Sequence, residues 1–272
     1  MVKNEFNLLV TGAASGLGLA VHRQLGGVPF VRGMGIDDPR ICAAQPFDAI
    51  VHCALRVMAP VTMRTCYAYL EDNFLLTERL LSIPHHKFVY VSSLDVYPRM
   101  GRAVREDEDV DLSTLAGPYS FVKLFSDVLV QNQAANHLVL RTTTQLGTSM
   151  RKSTVTWRLL TERGCHLGLS GQSQYNYVLQ NDVVAFIRHA LRSDRTGVYN
   201  LGTQANVRLD DMVRCFGLSV DFGDKLYDIG PVNAQKAATV MSAFARDSRQ
   251  TVDLFVDALG DRFVGSGRMG SA

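Results

Sequence analysis

The chain has 272 residues, 47% hydrophobic and 20% charged, with a formal net charge of +2. That length builds one large core, or one core with a smaller lobe, and the charge offers no polybasic footprint for nucleic acid or an anionic membrane. No apolar run approaches the roughly 18 residues of a membrane span, and Lys3 and Glu5 ahead of a short strand do not form a signal-peptide pattern.

The first element is the most informative. Asn7 to Thr11 is an apolar run that ends in Gly12-Ala13-Ala14-Ser15-Gly16-Leu17-Gly18, and helix formers follow at once. This predicts the strand, turn and helix of a dinucleotide-binding βαβ unit. Gly12 permits the tight turn, Gly16 lets backbone approach a pyrophosphate, and Gly18 lets the helix pack close to the sheet. The helix would direct its unpaired N–H groups and positive dipole end at the phosphates. Its G-x-x-x-G-x-G spacing is one register away from G-x-G-x-x-G.

The helix is expected to run from Gly16 to Gly26, and Phe30–Ile36 reads as a second strand ending in Asp37-Asp38. Asp37 lies 19 residues beyond Gly18, close to where such a unit places the acid that holds the adenosine ribose. A carboxylate there favours NAD over NADP, while Arg32 and Arg40 keep NADP open. Only ten residues separate Asp37 from Asp48, where the strand Asp48–Ala54 begins. A crossover with its own strand and helix needs more than about 10–12 residues, so one strand–helix unit is expected to be missing or vestigial.

A helix is predicted over Pro60–Leu81. His85-His86 reads as a solvated loop with no metal-ligand spacing, and Lys87–Ser93 as a buried strand ending in two hydroxyls. A charged loop over Arg102–Asp111 leads to Pro118, which opens a helix to about Ala135, and His137–Arg141 is the next strand. The alternation then loosens. Helices are expected at Thr154–Glu162, Asn181–Leu191 and Leu209–Phe216, with short strands at His166–Leu169, Tyr175–Leu179 and Val198–Leu201. Val252, Phe255, Val256 and Leu259 form one helical stripe, with Asp247 and Gln250 placed as a capping box. The pattern predicts an α/β fold with a doubly wound parallel sheet, Rossmann-like, and a small C-terminal lobe. The expected division is a dinucleotide-binding domain over 1–150 with elements returning at about 176–202, a substrate lobe over 151–264, and a flexible tail over 265–272. Cys42, Cys53, Cys66, Cys165 and Cys215 are scattered and odd in number, and read as buried thiols of a reducing cytoplasm.

Tyr119 and Lys123 stand four apart on a predicted helix and share a face. An ammonium beside a phenol favours the phenolate and lowers its pKa from about 10. A hydroxyl such as Ser93 at a strand's end can bond the same substrate oxygen, giving a proton-transfer site. Alone, Tyr-x-x-x-Lys is common on amphipathic surfaces; its value here comes from the motifs around it.

Taken together these motifs resemble the extended short-chain dehydrogenase/reductase superfamily, in its NAD-dependent epimerase/dehydratase family. Thr11–Gly18 looks like the cofactor turn, with a glycine spacing more typical of the superfamily's shorter branch. Asp48–Ala54 is similar to D-x-V-x-H-x-A, Asn73–Leu81 to N-x-x-G-T-x-x-L-L with its glycine lost, and Val91–Tyr97 to S-S-x-x-V-Y. Tyr119/Lys123 then match Y-x-x-x-K, 26 residues beyond Ser93. Later echoes follow at Leu140–Gly147, Asn181–Val184 and Val198–Gly202. The resemblance implies an NAD(P)-dependent enzyme with Ser93, Tyr119 and Lys123 as catalytic residues. It implies cofactor contacts at Gly12, Ser15, Gly16, Leu17, Gly18, Asp37, Ala54, Tyr119 and Lys123, with NAD as the cofactor and no metal. It also implies a small-molecule substrate, a nucleotide-linked sugar epimerised or reduced at a secondary alcohol or ketone.

Two departures bear on the substrate. Thr142-Thr143-Thr144-Gln145 stands where nucleotide-sugar members usually carry a phosphate-contacting asparagine, and Asp95 alone remains of the dehydratase-like acidic pair. A reductase of a non-sugar carbonyl (steroid-, flavonoid- or polyketide-like) is therefore the alternative. A cofactor-binding regulator without turnover is a third reading, against which an intact Ser93/Tyr119/Lys123 set counts. The apolar positions Phe121, Leu124, Phe125, Val128 and Leu129 suggest that the Tyr119 helix pairs with a second copy, giving a homodimer.

Overall fold

Leu8, Leu9 and Val10 are fully buried, and with Thr11 they form β1 (Leu8–Thr11), a short strand with no solvent-facing side chain. Such burial on both faces marks a central strand of a parallel sheet. The computed structural model of the chain describes residues 5–99 and 101–266. The chain forms two compact units. One takes the residues up to Pro98 with Glu106–Thr142 and Asn181–Asn200; the other takes Arg99–Arg105, Thr143–Gln180 and the chain from Leu201 on.

In the first unit α1 (Gly16–Leu25) follows the glycine turn, then β2 (Val28–Phe30), α2 (Pro39–Ala44) and β3 (Phe47–His52). A long helical segment comes next, as α3 (Cys66–Leu70), a π-helical turn (Glu71–Leu75) and α4 (Leu76–Leu81). β4 (His85–Ser93), α5 (Pro118–Gln133) and β5 (His137–Thr142) complete the run. The second unit begins with β6 (Thr144–Leu146), α6 (Val155–Thr161), β7 (Cys165–Leu169), β8 (Gln174–Tyr175) and β9 (Tyr177–Leu179). The chain returns to the first unit through α7 (Gln180–Leu191) and β10 (Gly197–Leu201). It closes with β11 (Val207–Arg208), α8 (Leu209–Phe216), β12 (Val220–Lys225), α9 (Gln235–Ala238) and α10 (Ser248–Leu259).

The six-stranded sheet has the order β10-β5-β4-β3-β1-β2, parallel from β5 through to β2. After β1 the chain steps outward to β2, then returns across β1 to β3 and continues the other way. Right-handed crossovers put the helices of these two runs on opposite faces, and the reversal makes a switch point at the carboxyl ends of β1 and β3. The expected α/β architecture is present. So is the expected shortening: β2 is the sheet edge, and the six residues of α2 occupy the crossover to β3.

The second strand is shorter than Phe30–Ile36. It pairs only over Val28–Phe30, because the chain turns at Val31–Met34, where the Met34 N–H bonds the Val31 carbonyl and Gly33 sits at φ +90°. The helix predicted from Pro60 starts at Cys66, and the strand predicted from Lys87 starts earlier, with His85 opposite Phe47. His85-His86 therefore lies in a strand, not a loop. Tyr175–Leu179 breaks into β8 and β9 around buried Asn176, whose side chain bonds the Thr203 backbone at both its N–H and its carbonyl. The capping box of α10 is formed as expected, with Asp247 and Gln250 each bonding the other's backbone N–H. Cys42 and Cys66 are exposed and Cys53 and Cys215 half-buried, which corrects the reading of all five cysteines as buried; all five are free thiols. Of the expected tail, residues 267–272 lie outside the described residues, while the Ser266 N–H bonds the Phe216 carbonyl.

The second unit is built on three two-stranded pairings, β6 with β9, β7 with β12 and β8 with β11. They enclose an apolar core that includes Trp157, Tyr177, Phe216 and Phe255.

Candidate active site

The glycine turn fits its sequence reading closely. Gly12 has φ +68°, and a Cβ there would stand 3.0 Å from the Ala54 nitrogen, so the turn packs directly on the chain leaving β3. A Cβ on Gly18 would collide with the Gly12 and Thr11 carbonyl oxygens; its absence is what lets α1 approach the sheet. Gly16, at φ +57°, has open space where its side chain would be. Leu17 is buried. Helix α1 opens at Ser15 with no side-chain cap and no acid in its first turn. A diphosphate is the kind of group such an end accepts, since it meets N–H groups and a positive dipole end but no competing carboxylate.

A buried hydrogen-bond chain holds this corner. Thr11 Oγ1 accepts the N–H groups of Cys53 and Ala54 at 3.1 and 3.0 Å and lies 2.7 Å from His52 Nδ1. With both lone pairs taken, the Thr11 hydroxyl donates to Nδ1, which leaves the ring proton on Nε2. That nitrogen is 3.0 Å from Thr77 Oγ1, which passes its own proton to the Asn73 carbonyl. Burial, assisted by the Lys123 charge, drives the His52 pKa down to about 3, so the ring is neutral and structural. Asn73 sits buried in the π-helical turn, and its amide bonds both the N–H and the carbonyl of Arg56. The loop after β3 is thereby held from two sides.

Tyr119 and Lys123 both lie on α5, Tyr119 half-buried at the second position of the helix and Lys123 one turn on and buried. Gly117 at φ +149° and Pro118 set the helix start. Lys123 Nζ donates to the Val91 carbonyl at 2.7 Å and lies 4.9 Å from the centre of the Tyr90 ring. Burial lowers the Lys123 pKa to about 8, against the supporting charge of Asp127. The Cys53 thiol is pushed up to about 12 by burial and is protonated beside it. Ser93, the last residue of β4, belongs to the same strand as Val91. Its hydroxyl donates to Asp95 at 3.2 Å and accepts the Asp95 N–H at 3.1 Å. Asp95 thus competes for the proton that a substrate oxygen would need.

Sequence reasoning missed the support behind these residues. Asp127, fully buried on α5, pairs with Arg141 of β5 at 2.8 Å and accepts from Ser92 and Gln131. Arg141 also donates to the Tyr97 hydroxyl at 2.6 Å, and Tyr97 donates to Asn200 at 2.9 Å. This network ties β4, α5, β5 and β10 together under the site. An acid on the buried face of a helix otherwise read as apolar was the available signal.

Asp37 is placed differently from Ala54, on which the glycine turn packs directly. It is exposed in the stretch between β2 and α2, seven residues past the end of β2, with its carboxylate folded back over Gly35. Among the described residues no group of three or more His, Cys, Asp or Glu could hold a metal ion, and no helix is long and apolar enough to cross a membrane. Of the apolar positions expected to face outward on α5, Phe125 and Val128 are exposed and Phe121 and Leu129 half-buried, but Leu124 is buried.

The model of the NAD dependent epimerase/dehydratase family matches residues 37–202, a span that starts after the glycine turn. In fold the chain is similar to MoeE5 in complex with UDP-glucuronic acid and NAD, with TM-score 0.74 and 20% identity over 93% of this chain and 99% of that one. It is similar also to UDP-glucuronic acid 4-epimerase from Bacillus cereus in complex with UDP-glucuronic acid and NAD, with TM-score 0.73 and 18% identity over 93% and 99%. A third is UDP-N-acetylglucosamine 4-epimerase from Methanobrevibacter ruminantium M1 in complex with UDP-N-acetylmuramic acid, with TM-score 0.76 and 13% identity over 94% and 97%. At these identities the likeness is one of fold. No curated protein matches the chain in sequence.

Proposed function

The chain belongs to the NAD dependent epimerase/dehydratase family, and on that premise we propose that it is an NAD(P)-dependent oxidoreductase or epimerase. Its substrate carries a secondary alcohol or ketone, and a nucleotide-linked sugar is the class that the similar structures favour. The observation that carries the reading is Lys123, a buried ammonium whose bonded partner is a main-chain carbonyl and not a carboxylate. Such a charge costs stability where it stands, and an arrangement of that kind is concentrated at sites that move protons.

A bound nicotinamide dinucleotide would supply the hydride acceptor or donor, held by the Gly12–Gly18 turn with Ser15, Leu17 and Ala54 around it. Tyr119 exchanges the proton of the substrate hydroxyl. Lys123, one helical turn away, holds a positive charge beside that phenol and favours its ionised form. Ser93 polarises the substrate oxygen after giving up its bond to Asp95. Two exposed apolar pairs, Tyr67 and Leu70 on α3 and Phe125 and Val128 on α5, support a homodimer through this helical face.

Turnover with NAD and NADP against a panel of nucleotide sugars and simple ketones tests the reading. Turnover of a nucleotide sugar supports it, and no turnover with any combination removes it in favour of a regulator. A non-sugar carbonyl reductase is the second reading. It is favoured by Thr142 and Thr143, whose hydroxyls are taken by the Ser92 and Leu201 carbonyls where a phosphate-binding amide was sought.

A further inference from the structure

The place where β2 ends decides which side chain meets the far ribose of a bound dinucleotide. Thr11, the last residue of β1, is in register with Phe30, and the Gly12 N–H bonds the Phe30 carbonyl at 3.1 Å. The residues that leave β2 beside the glycine turn are therefore Val31 and Arg32. In a βαβ dinucleotide unit, the adenosine ribose lies at this strand end, where an acid bonds its hydroxyls or an arginine accommodates a 2′-phosphate.

Arg32 occupies the first corner of a tight turn. The Met34 N–H bonds the Val31 carbonyl, and Gly33 at φ +90° takes the second corner, the arrangement that a type II turn requires. Arg32 is exposed and makes no hydrogen bond or ion pair with another described residue. A Cβ on Gly33 would meet no atom within 4 Å, so nothing crowds the turn.

Of the two acids, Asp38 is committed elsewhere and Asp37 stands further along the connection from β2. Asp37 comes five residues after Arg32, with its carboxylate turned back over Gly35. Asp38 caps α2 through the Arg40 N–H and holds the Arg40 guanidinium at 2.9 Å through two nitrogens. That pair neutralises itself. Of the two arginines flanking Asp37, Arg32 alone has its guanidinium unengaged.

We propose that Arg32, and not Asp37, reads the adenosine 2′ position, and that its guanidinium pairs with a 2′-phosphate. The chain then takes NADP(H) at least as tightly as NAD(H). This rests on the cofactor reading above. A guanidinium presents parallel N–H donors that match phosphate oxygens, and it has no acceptor for the ribose hydroxyls of an unphosphorylated cofactor.

Titrating wild type with NADH and NADPH, followed by nucleotide fluorescence, tests it. The expected NADPH dissociation constant is equal to or below that of NADH. Arg32→Ser should weaken NADPH by about tenfold or more, the loss of one charge-assisted bond, and leave NADH within about twofold. Arg32→Lys, which keeps the charge but not the fork, should fall between. Asp37→Ala should leave the ratio unchanged. Tighter binding of NADH than NADPH by wild type overturns the proposal, as does an equal effect of Arg32→Ser on both cofactors or a shift toward NADPH in Asp37→Ala. Binding of neither cofactor would instead remove the functional reading on which the proposal rests. Because Arg32 is exposed and unpartnered, the variants keep the wild-type thermal midpoint, which separates a binding effect from misfolding.

Discussion

The two regions that flank the glycine turn are built to different standards. On one side, β4, α5 and β5 carry Ser93, Lys123, Asp127 and Arg141, all buried and each bonded to a named partner. On the other, β2 is three residues long at the sheet edge, and its connection to β3 is mostly exposed turns with one six-residue helix. The first region resembles a packed interior in which polar groups are held in one geometry. The second resembles a surface loop that can change without disturbing the core. Proton chemistry needs fixed positions, so it belongs in the first. A choice between cofactors needs only one well-placed charge, and the second region can supply it.

The largest effect should come from breaking the rigid side. Asp127→Ala leaves Arg141 buried without its carboxylate, which should cost about 3–5 kcal/mol in urea denaturation. The matching change on the loose side, Asp38→Ala, removes a surface pair with Arg40 and the cap of the short α2, and should cost only about 0.5–2 kcal/mol. Similar midpoints for the two variants would erase the distinction between the regions.

Next in size is the chemical step. Tyr119→Phe removes the proton donor and keeps the ring, so kcat should fall by about 10²-fold or more with cofactor affinity near wild type. Retention of most of the activity would show that the rigid side is rigid for another reason.

The Lys123 charge gives a signed pH effect. Burial disfavours its ammonium, so the folded chain releases this proton near pH 8, while the unfolded chain keeps it to about 10.4. Below the folded value both states carry the proton and the full penalty is present. Between the two values the unfolded state binds more protons, so this group makes stability rise with pH, by at most about 1.4 kcal/mol per pH unit. Lys123→Met should remove that rise, visible as a difference between the two denaturation curves from pH 8 to 10. Parallel pH profiles would mean that Lys123 is solvated when folded.

How much of each region could be read from the sequence follows the same divide. The glycine turn, the end of β4 at Ser93 and the placement of Tyr119 and Lys123 on one helix were legible, because local spacing fixes them. So was the capping box at Asp247 and Gln250, and the ten-residue gap correctly announced a missing strand–helix unit. The Asp127–Arg141 pair was not legible, since it joins residues on different elements and nothing local marks one as the other's partner. The end of β2 was misread because Phe30-Val31 and Met34-Gly35-Ile36 look like strand, while the Gly33 turn and the register against β1 decide otherwise. Asp37 was chosen from its distance beyond Gly18, and the structure sets it seven residues past the end of β2.

The smallest expected effect concerns the adenine itself. In a full doubly wound sheet a further strand beyond β2 would carry a loop against one side of the base. Among the described residues no strand pairs with the outer edge of β2, and α2 takes the place of that unit. The base would then be covered from one side, by the turn after β2, and open to water on the other. Water on an open edge tolerates added bulk, whereas a closed pocket rejects it through lost packing. A cofactor whose adenine is extended by a fused etheno bridge should therefore bind within about threefold of the unmodified one, less than 1 kcal/mol. Competition of the etheno and ordinary forms for the same protein measures the ratio directly. A loss of about tenfold or more would mean that the loop from Val31 to Asp38 closes over the base. The adenosine end would then be as tightly built as the catalytic end.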